Sequence, residues 1–178
     1  MTALTLLLAA VDFSAERHKD QRRKGSDAEP YINHPVRVAH LLSSVGGVTD
    51  VELLCAAVLH DTVEDVGVTP DELRERFGDA VTALVLEVTD DKSLAKDERK
   101  RRQVEHAPHL SERAKQLKLA DKLANVTDIL ERPPTSWELQ RRVEYFAWAH
   151  AVVEGLRGAN AALEAAFDAV YARRPGQA

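Results

Sequence analysis

Cysteine is nearly absent: Cys55 is the one thiol in 178 residues, which excludes an internal disulfide framework. It lies in the apolar run Leu53-Leu54-Cys55-Ala56-Ala57-Val58-Leu59, where a thiol packs as a small hydrophobe with no base beside it. A reducing cytoplasm is the compartment this usage predicts. Membrane-length hydrophobic runs are missing too, so no span is expected. The segment Leu4-Thr5-Leu6-Leu7-Leu8-Ala9-Ala10-Val11 has no Lys or Arg before it, and Asp12 follows without a small-residue cleavage pattern, so it reads as the apolar face of a first helix. An excess of positive charge is also lacking. With 24 Lys and Arg against 29 Asp and Glu, the net charge of -5 argues against a general nucleic-acid binder. Repeats, low-complexity stretches and Pro- or Ser-rich linkers do not occur, and alternating β-branched runs are nearly absent.

What is present predicts helices. A chain 44% hydrophobic and of this length suits a single domain, 1–178, with residues 173–178 as a frayed tail. Thr49-Asp50-Val51-Glu52, Thr69-Pro70-Asp71-Glu72 and Thr135-Ser136-Trp137-Glu138 each have the form of a capping box. Gly46-Gly47, Gly78 and Pro133-Pro134 are stops. The expected helices cover about 2–21, 34–44, 50–60, 70–77, 79–89, 98–107, 111–130, 136–157 and 160–172. The fold class is all-α, an irregular helical bundle, with long loops at 22–33, 61–69 and 90–97.

Chemistry concentrates in a few residues: His34 at a helix start, His60-Asp61 at a helix end, and Asp121 inside a third helix. Imidazole nitrogen with carboxylate oxygen suits a borderline-hard divalent cation such as manganese, iron or zinc. Singly, each has a plainer reading, His34 as a helix-start residue and Asp121 as half of a surface pair with Lys118 or Lys122. The position of His60-Asp61 directly after an apolar run, where a solvated face does not belong, favours the metal. Glu64 and Asp65 follow four residues behind that pair and would orient or deprotonate a water. The alternative, an acidic cap for the next helix, is already supplied by Thr69-Pro70. Basic groups bracket this acidic centre: Arg22-Arg23-Lys24, Lys92, Lys96 and Arg99-Lys100-Arg101-Arg102. Such clusters are ordinarily solvated charge, but two of them on long loops in an acidic protein suit a polyphosphate substrate. Trp137, Tyr145, Phe146 and Trp148 read mostly as core, although Arg141 and Tyr145, four apart, fit one pocket face.

Longer strings narrow the reading. Arg22-Arg23-Lys24, Tyr31-Ile32-Asn33-His34-Pro35, Leu59-His60-Asp61-Thr62-Val63-Glu64-Asp65, Val88-Thr89-Asp90-Asp91-Lys92 and Lys118-Leu119-Ala120-Asp121-Lys122-Leu123 with Asn125 resemble the hydrolase domain of RelA/SpoT proteins, within the HD phosphohydrolase superfamily. The likeness covers nearly the whole chain in order and is strongest to the small stand-alone alarmone hydrolases of the metazoan SpoT-homologue type. It implies an α-helical HD fold, no synthetase domain, a manganese ion, and hydrolysis of ppGpp and pppGpp to GDP or GTP plus pyrophosphate. It also implies His34, His60, Asp61 and Asp121 as metal ligands and Glu64 and Asp65 as the acidic pair at the water. Arg23, Lys24, Tyr31, Asn125, Arg141 and Tyr145, with Lys96 and Trp137, match positions that contact base, ribose or phosphates. The chain departs from the family at Ala124, often aromatic or His, and at Thr127, often Arg. Two other functions stay open: a phosphatase acting on another 2′- or 3′-phosphorylated nucleotide such as NADPH, and a non-catalytic nucleotide-binding regulator. Retention of both histidines and all four acids speaks against the second.

Overall fold

The computed structural model describes residues 2–24 and 28–176, and it is helical throughout. Its helices are α1 (Ala3–Arg17), α2 (Asn33–Ser44), α3 (Val51–Leu59), α4 (Thr62–Val66), α5 (Pro70–Val88), α6 (Lys96–His106), α7 (Glu112–Glu131), α8 (Leu139–Glu154) and α9 (Ala161–Tyr171), with a 3₁₀ turn at Ala107–His109. Among the described residues the sole β feature is an antiparallel bridge between Arg22 and Pro30, which ties together the ends of the expected 22–33 loop. Positions 25–27 of that loop, and 177 and 178 of the expected tail, lie outside the described residues. No helix is long and apolar enough to cross a membrane among those described.

The apolar run that contains Cys55 becomes α3, with every residue from Leu53 to Leu59 buried. Helices α1, α2 and α5 pack around it, and α7 lies against α2, α5, α8 and α9. Ser14 of α1 donates its hydroxyl to the carbonyl of Val58 at 2.9 Å, so this buried polar group is satisfied. Phe13 meets Phe77 edge-to-face at 5.4 Å. Phe167 of α9, which does not line the cavity described below, is fully buried. Phe167→Ala is expected to cost about 3–5 kcal/mol through lost burial and a residual void, read as a lower urea midpoint, with the metal affinity of the folded fraction unchanged.

Local signals explain most boundaries. Thr69 caps α5 by accepting from the Glu72 amide at 3.2 Å, with Pro70 in the first turn where no amide hydrogen is needed. Gly78 (φ 83°, ψ 172°) breaks that helix into the two arms expected at 70–77 and 79–89, since only glycine takes this conformation without strain. Two expected boxes fail. Asp50, not Thr49, caps α3, its shorter carboxylate reaching two amides, and α8 starts at Leu139 after Glu138 with no side-chain cap, so Thr135 plays no such part. The expected 61–69 loop contains α4, which Gly67 ends in the left-handed conformation (φ 71°). Lys96 opens α6 rather than closing the loop before it.

Candidate metal centre and the cavity beside it

Three helix ends and one helix interior meet at a buried point. His34 stands in the first turn of α2, and Pro35 behind it occupies a position where a missing amide hydrogen costs nothing. His60 terminates α3 and Asp61 precedes α4 without capping it, so the Asp61 carboxylate is free to turn toward the imidazoles. Asp121 sits in the middle of α7 among buried Leu119, Ala120 and Leu123. His34, His60 and Asp121 each offer one ligand atom, all within 4.8 Å of one another, and together they could hold a metal ion. Asp61 adds a fourth candidate: its Oδ2 is 3.1 Å from His60 Nε2 and 3.8 Å from His34 Nε2.

A hydrogen bond behind the His60 ring leaves its other nitrogen facing the remaining candidate ligands. His60 Nδ1 donates to the Ala57 carbonyl at 2.7 Å, which makes Nε2 the lone-pair nitrogen. That Nε2 is buried and makes no hydrogen bond, although carboxylate oxygens lie 3.1 and 3.8 Å away. A lone pair facing two anionic oxygens is repulsive unless positive charge stands among them, a proton on Nε2 or a metal ion in its place, and the mixed nitrogen and oxygen donor set fits a divalent ion. The outer contacts orient the carboxylates. Tyr31 donates its hydroxyl to Asp61 Oδ2 at 2.7 Å, Asn125 Nδ2 donates to Asp121 Oδ1 at 2.7 Å, and Lys122 Nζ holds Asp121 Oδ2 at 3.1 Å. The expected pairing of Asp121 with Lys122 is therefore real but buried, not a surface pair.

Electrostatics follow from this packing. Burial alone would raise Asp121, but Lys122 and His34 outweigh it and hold the carboxyl well below the usual range. Burial acts the same way on Asp61, and there His60 outweighs it and depresses the carboxyl. Burial pulls His34 down, whereas at His60 the neighbouring Asp61 and Asp121 outweigh burial and lift the imidazole to about 9. Glu64 moves the other way: burial, then the nearby Asp90 carboxylate, raises it above the ordinary glutamate value.

Glu64 and Asp65 do not project from a continuation of α3. They lie on α4, beyond the turn at His60-Asp61, and each is fixed by donors. Glu64 accepts from the Asp90 amide at 3.2 Å and pairs with Arg99 at 3.6 Å. Asp65 accepts from Gln21 Nε2 at 2.8 Å and Lys92 Nζ at 2.5 Å.

A cavity of about 830 Å³ adjoins this centre, within the range that small-molecule sites occupy. Its lining includes Arg23, Lys24, Tyr31, Lys96, Asn125, Trp137, Arg141 and Tyr145, together with Asp65. Tyr31 and Asn125 belong to both places, lining the cavity while holding Asp61 and Asp121. Cations are stacked on its rings: the Arg141 guanidinium is 4.3 Å from the Trp137 ring, Lys100 Nζ is 5.1 Å from Trp148, and Lys122 Nζ is 4.6 Å from Trp148. Arg23 is pinned by Asn125 Oδ1 at 3.0 Å and Asp128 Oδ2 at 2.9 Å. Of the basic run at 99–102, Arg99 and Lys100 face the cavity, while Arg101 and Arg102 pair with Glu98 outside it.

Some cavity residues escaped the sequence reading. Asp128, which gathers Arg23, Arg37 and Arg132, lies three residues after Asn125 and seven after Asp121, a helical spacing that was a usable signal. Gln21 carried none. At the two family departures, Ala124 is fully buried and Thr127 returns its hydroxyl to the Leu123 carbonyl at 2.8 Å. The guanidinium groups lining the cavity come instead from elsewhere, among them Arg23, Arg132 and Arg141.

The HD domain family model matches residues 10–145. The guanosine-3′,5′-bis(diphosphate) 3′-pyrophosphohydrolase of Xenopus tropicalis is 54% identical over 166 residues, covering 93% of each chain. The human protein of that name is 52% identical over 168 residues, covering 94% of each. A solved structure described as a metazoan ortholog of SpoT that hydrolyzes ppGpp superposes with a TM-score of 0.92 at 45% identity, covering 94% of each chain. The chain belongs to the HD-domain family, as a RelA/SpoT-type member of the small metazoan SpoT-homologue kind.

Proposed function

We propose that this chain is a manganese-dependent phosphohydrolase that removes the 3′-diphosphate of the guanosine alarmones ppGpp and pppGpp. The observation that carries this reading is the convergence of His34, His60 and Asp121 on one buried point beside a cavity of nucleotide size. The names of relatives more than half identical to it support the same substrate. His34, His60, Asp61 and Asp121 would hold the ion, their mixed nitrogen and oxygen donors suiting Mn²⁺. When bound, such an ion supplies Lewis acidity and a water pKa brought toward neutrality.

The chain's own groups account for the rest. In the reaction, water oxygen bonds to the phosphorus on the ribose 3′ oxygen, that P–O bond breaks, and pyrophosphate leaves with GDP or GTP behind. Glu64, whose carboxyl burial and Asp90 raise, accepts the water proton, and the departing 3′ oxygen is protonated in turn. Asp65, fixed by Gln21 and Lys92, orients the water. Arg23, Lys24, Lys96 and Arg141, all lining the cavity, meet the phosphates, with Arg suited to bidentate contact. Trp137 and Tyr145 supply ring faces for the base, while Tyr31 and Asn125 join the ribose side to the metal ligands. A reducing cytoplasm, compatible with the one buried thiol, is the setting.

Purified protein given Mn²⁺ and ppGpp is expected to release GDP and pyrophosphate in equal amounts, identified by mass. A parallel arm with NADPH reads release of inorganic phosphate. Bound cation with no GDP formed contradicts the proposal, and phosphate from NADPH alone moves the substrate to that class.

The raised Glu64 carboxyl gives a pH prediction. As a base it works ionised, so falling pH removes it, and a raised value places that loss at higher pH than an ordinary glutamate would. Asp90→Asn keeps the backbone amide bonded to Glu64 but deletes the like charge. The acid limb of kcat/KM is expected to shift to lower pH in this variant. An unmoved limb assigns it to another group.

A further inference from the structure

His18 ends α1 behind the cavity, 1% exposed, and none of the roles above uses it. It touches the site by two routes. Its Nδ1 lies 2.6 Å from Gln21 Oε1, and Gln21 Nε2 donates to Asp65 Oδ2 at 2.8 Å. Its ring also stacks on Tyr31, with centroids 4.9 Å apart and planes at 28°, and the Tyr31 hydroxyl donates to Asp61 Oδ2 at 2.7 Å.

The chemistry of the chain fixes which atom donates. An ionised carboxylate only accepts, so the end of the Gln21 amide that faces Asp65 must be its nitrogen. The amide oxygen therefore faces His18, and Nδ1 must carry the ring proton to donate to it. This leaves His18 Nε2 as a lone-pair nitrogen, and it is buried without a hydrogen-bond partner. A core histidine retained for packing alone could be replaced by an aromatic ring of similar shape and would relieve that unsatisfied atom. Burial of the unsatisfied nitrogen is tolerated in exchange for a donor at Nδ1.

We propose that His18 is a positioning residue: its Nδ1–H sets the orientation of the Gln21 amide that holds Asp65, while its ring face fixes Tyr31 against Asp61. The inference rests on the function proposed above for Asp65 and Asp61, but its geometric half does not. Without the Nδ1–H donor the Gln21 amide oxygen loses its partner, and the side chain is free to leave Asp65 for other rotamers. Asp65 would lose one of its two fixing donors, keeping Lys92 alone.

The test uses the full chain with ¹⁵N-labelled histidine, and the variants His18→Phe, Gln21→Leu and their double. Ring ¹⁵N shifts are expected to give His18 as the Nδ1–H tautomer in the parent and to move in Gln21→Leu. With Mn²⁺ and ppGpp, His18→Phe, which keeps a ring against Tyr31, is expected to lower kcat about 10-fold, at the lower end for lost outer partners of a metal site. KM and Mn²⁺ affinity are expected to stay within about twofold, in line with a loss confined to Asp65 orientation. Gln21→Leu is expected to lose the same factor, and the double variant no more than either single, because all three break one chain of contacts. An Nε2–H tautomer, an unchanged kcat in folded His18→Phe, or additive losses in the double variant each overturn the proposal. A parent that shows the expected tautomer yet leaves ppGpp intact refutes the function proposed above, and with it the catalytic half of this role.

Discussion

Glu64→Gln is expected to lower turnover of ppGpp by at least about 100-fold while leaving Mn²⁺ affinity nearly unchanged. The substitution keeps the shape and the acceptor oxygen that meets the Asp90 amide, and removes the charge, and with it the pairing to Arg99 and the ability to take a proton. A positioned general base typically contributes about 10² to 10⁴ in rate, which sets the expected loss. The surroundings of Glu64 suit a base, because burial and the Asp90 carboxylate raise its carboxyl while Arg99 stands 3.6 Å away as a charge partner. Single-turnover kinetics separate this chemical loss from any change in binding, and isothermal titration with Mn²⁺ checks the metal. Turnover near that of the parent would remove Glu64 from the reaction and leave Asp65 as the remaining acid on α4.

His60→Ala is expected to have the other large effect, abolishing both tight Mn²⁺ binding and measurable pyrophosphate release. Outer partners of metal ligands are typically worth about 10- to 100-fold, so removal of a ligand itself is expected to exceed that range. The cause is specific. Of the two candidate imidazole ligands, His60 is the one whose inward nitrogen is fixed from behind, by its Nδ1–H to the Ala57 carbonyl, and Asp61 and Asp121 lie 3.1 and 3.8 Å from it. The variant should still fold, since His60 ends α3 and the apolar residues before it keep their packing. Circular dichroism and metal content of the purified protein check the two halves of this prediction. Full metal occupancy in folded His60→Ala would take that imidazole out of the centre.

The pattern of what the sequence made legible follows from range. His60-Asp61 could be recognised because a polar pair directly after a fully apolar run has no local reason to be there, and the run became the buried α3. The eight residues matched to substrate contacts by family likeness all line the cavity, although they come from four separate stretches of the chain. Legibility failed where tertiary contacts decide. The turn at His60-Asp61, which places Glu64 and Asp65 on a helix of their own, is marked by no glycine or proline in the sequence. Thr49 and Thr135 had the right neighbours for caps, but Asp50 competed better for the free amides and the chain after Pro134 turned before starting α8. Gln21 and His18 precede the basic run Arg22-Arg23-Lys24, but nothing in their own residue types or spacing marked them as contacts. Their importance arises only once α1 runs behind Tyr31 and meets Asp65.

The central claim is that residues from α2, the α3–α4 turn and α7 bind one cation. Anomalous diffraction at the manganese edge from crystals grown with Mn²⁺ tests it most directly. The account predicts a single strong peak bonded to the ring nitrogens of His34 and His60 and to carboxylate oxygens of Asp61 and Asp121. A peak elsewhere, or none at that point in protein shown to retain the metal, contradicts it.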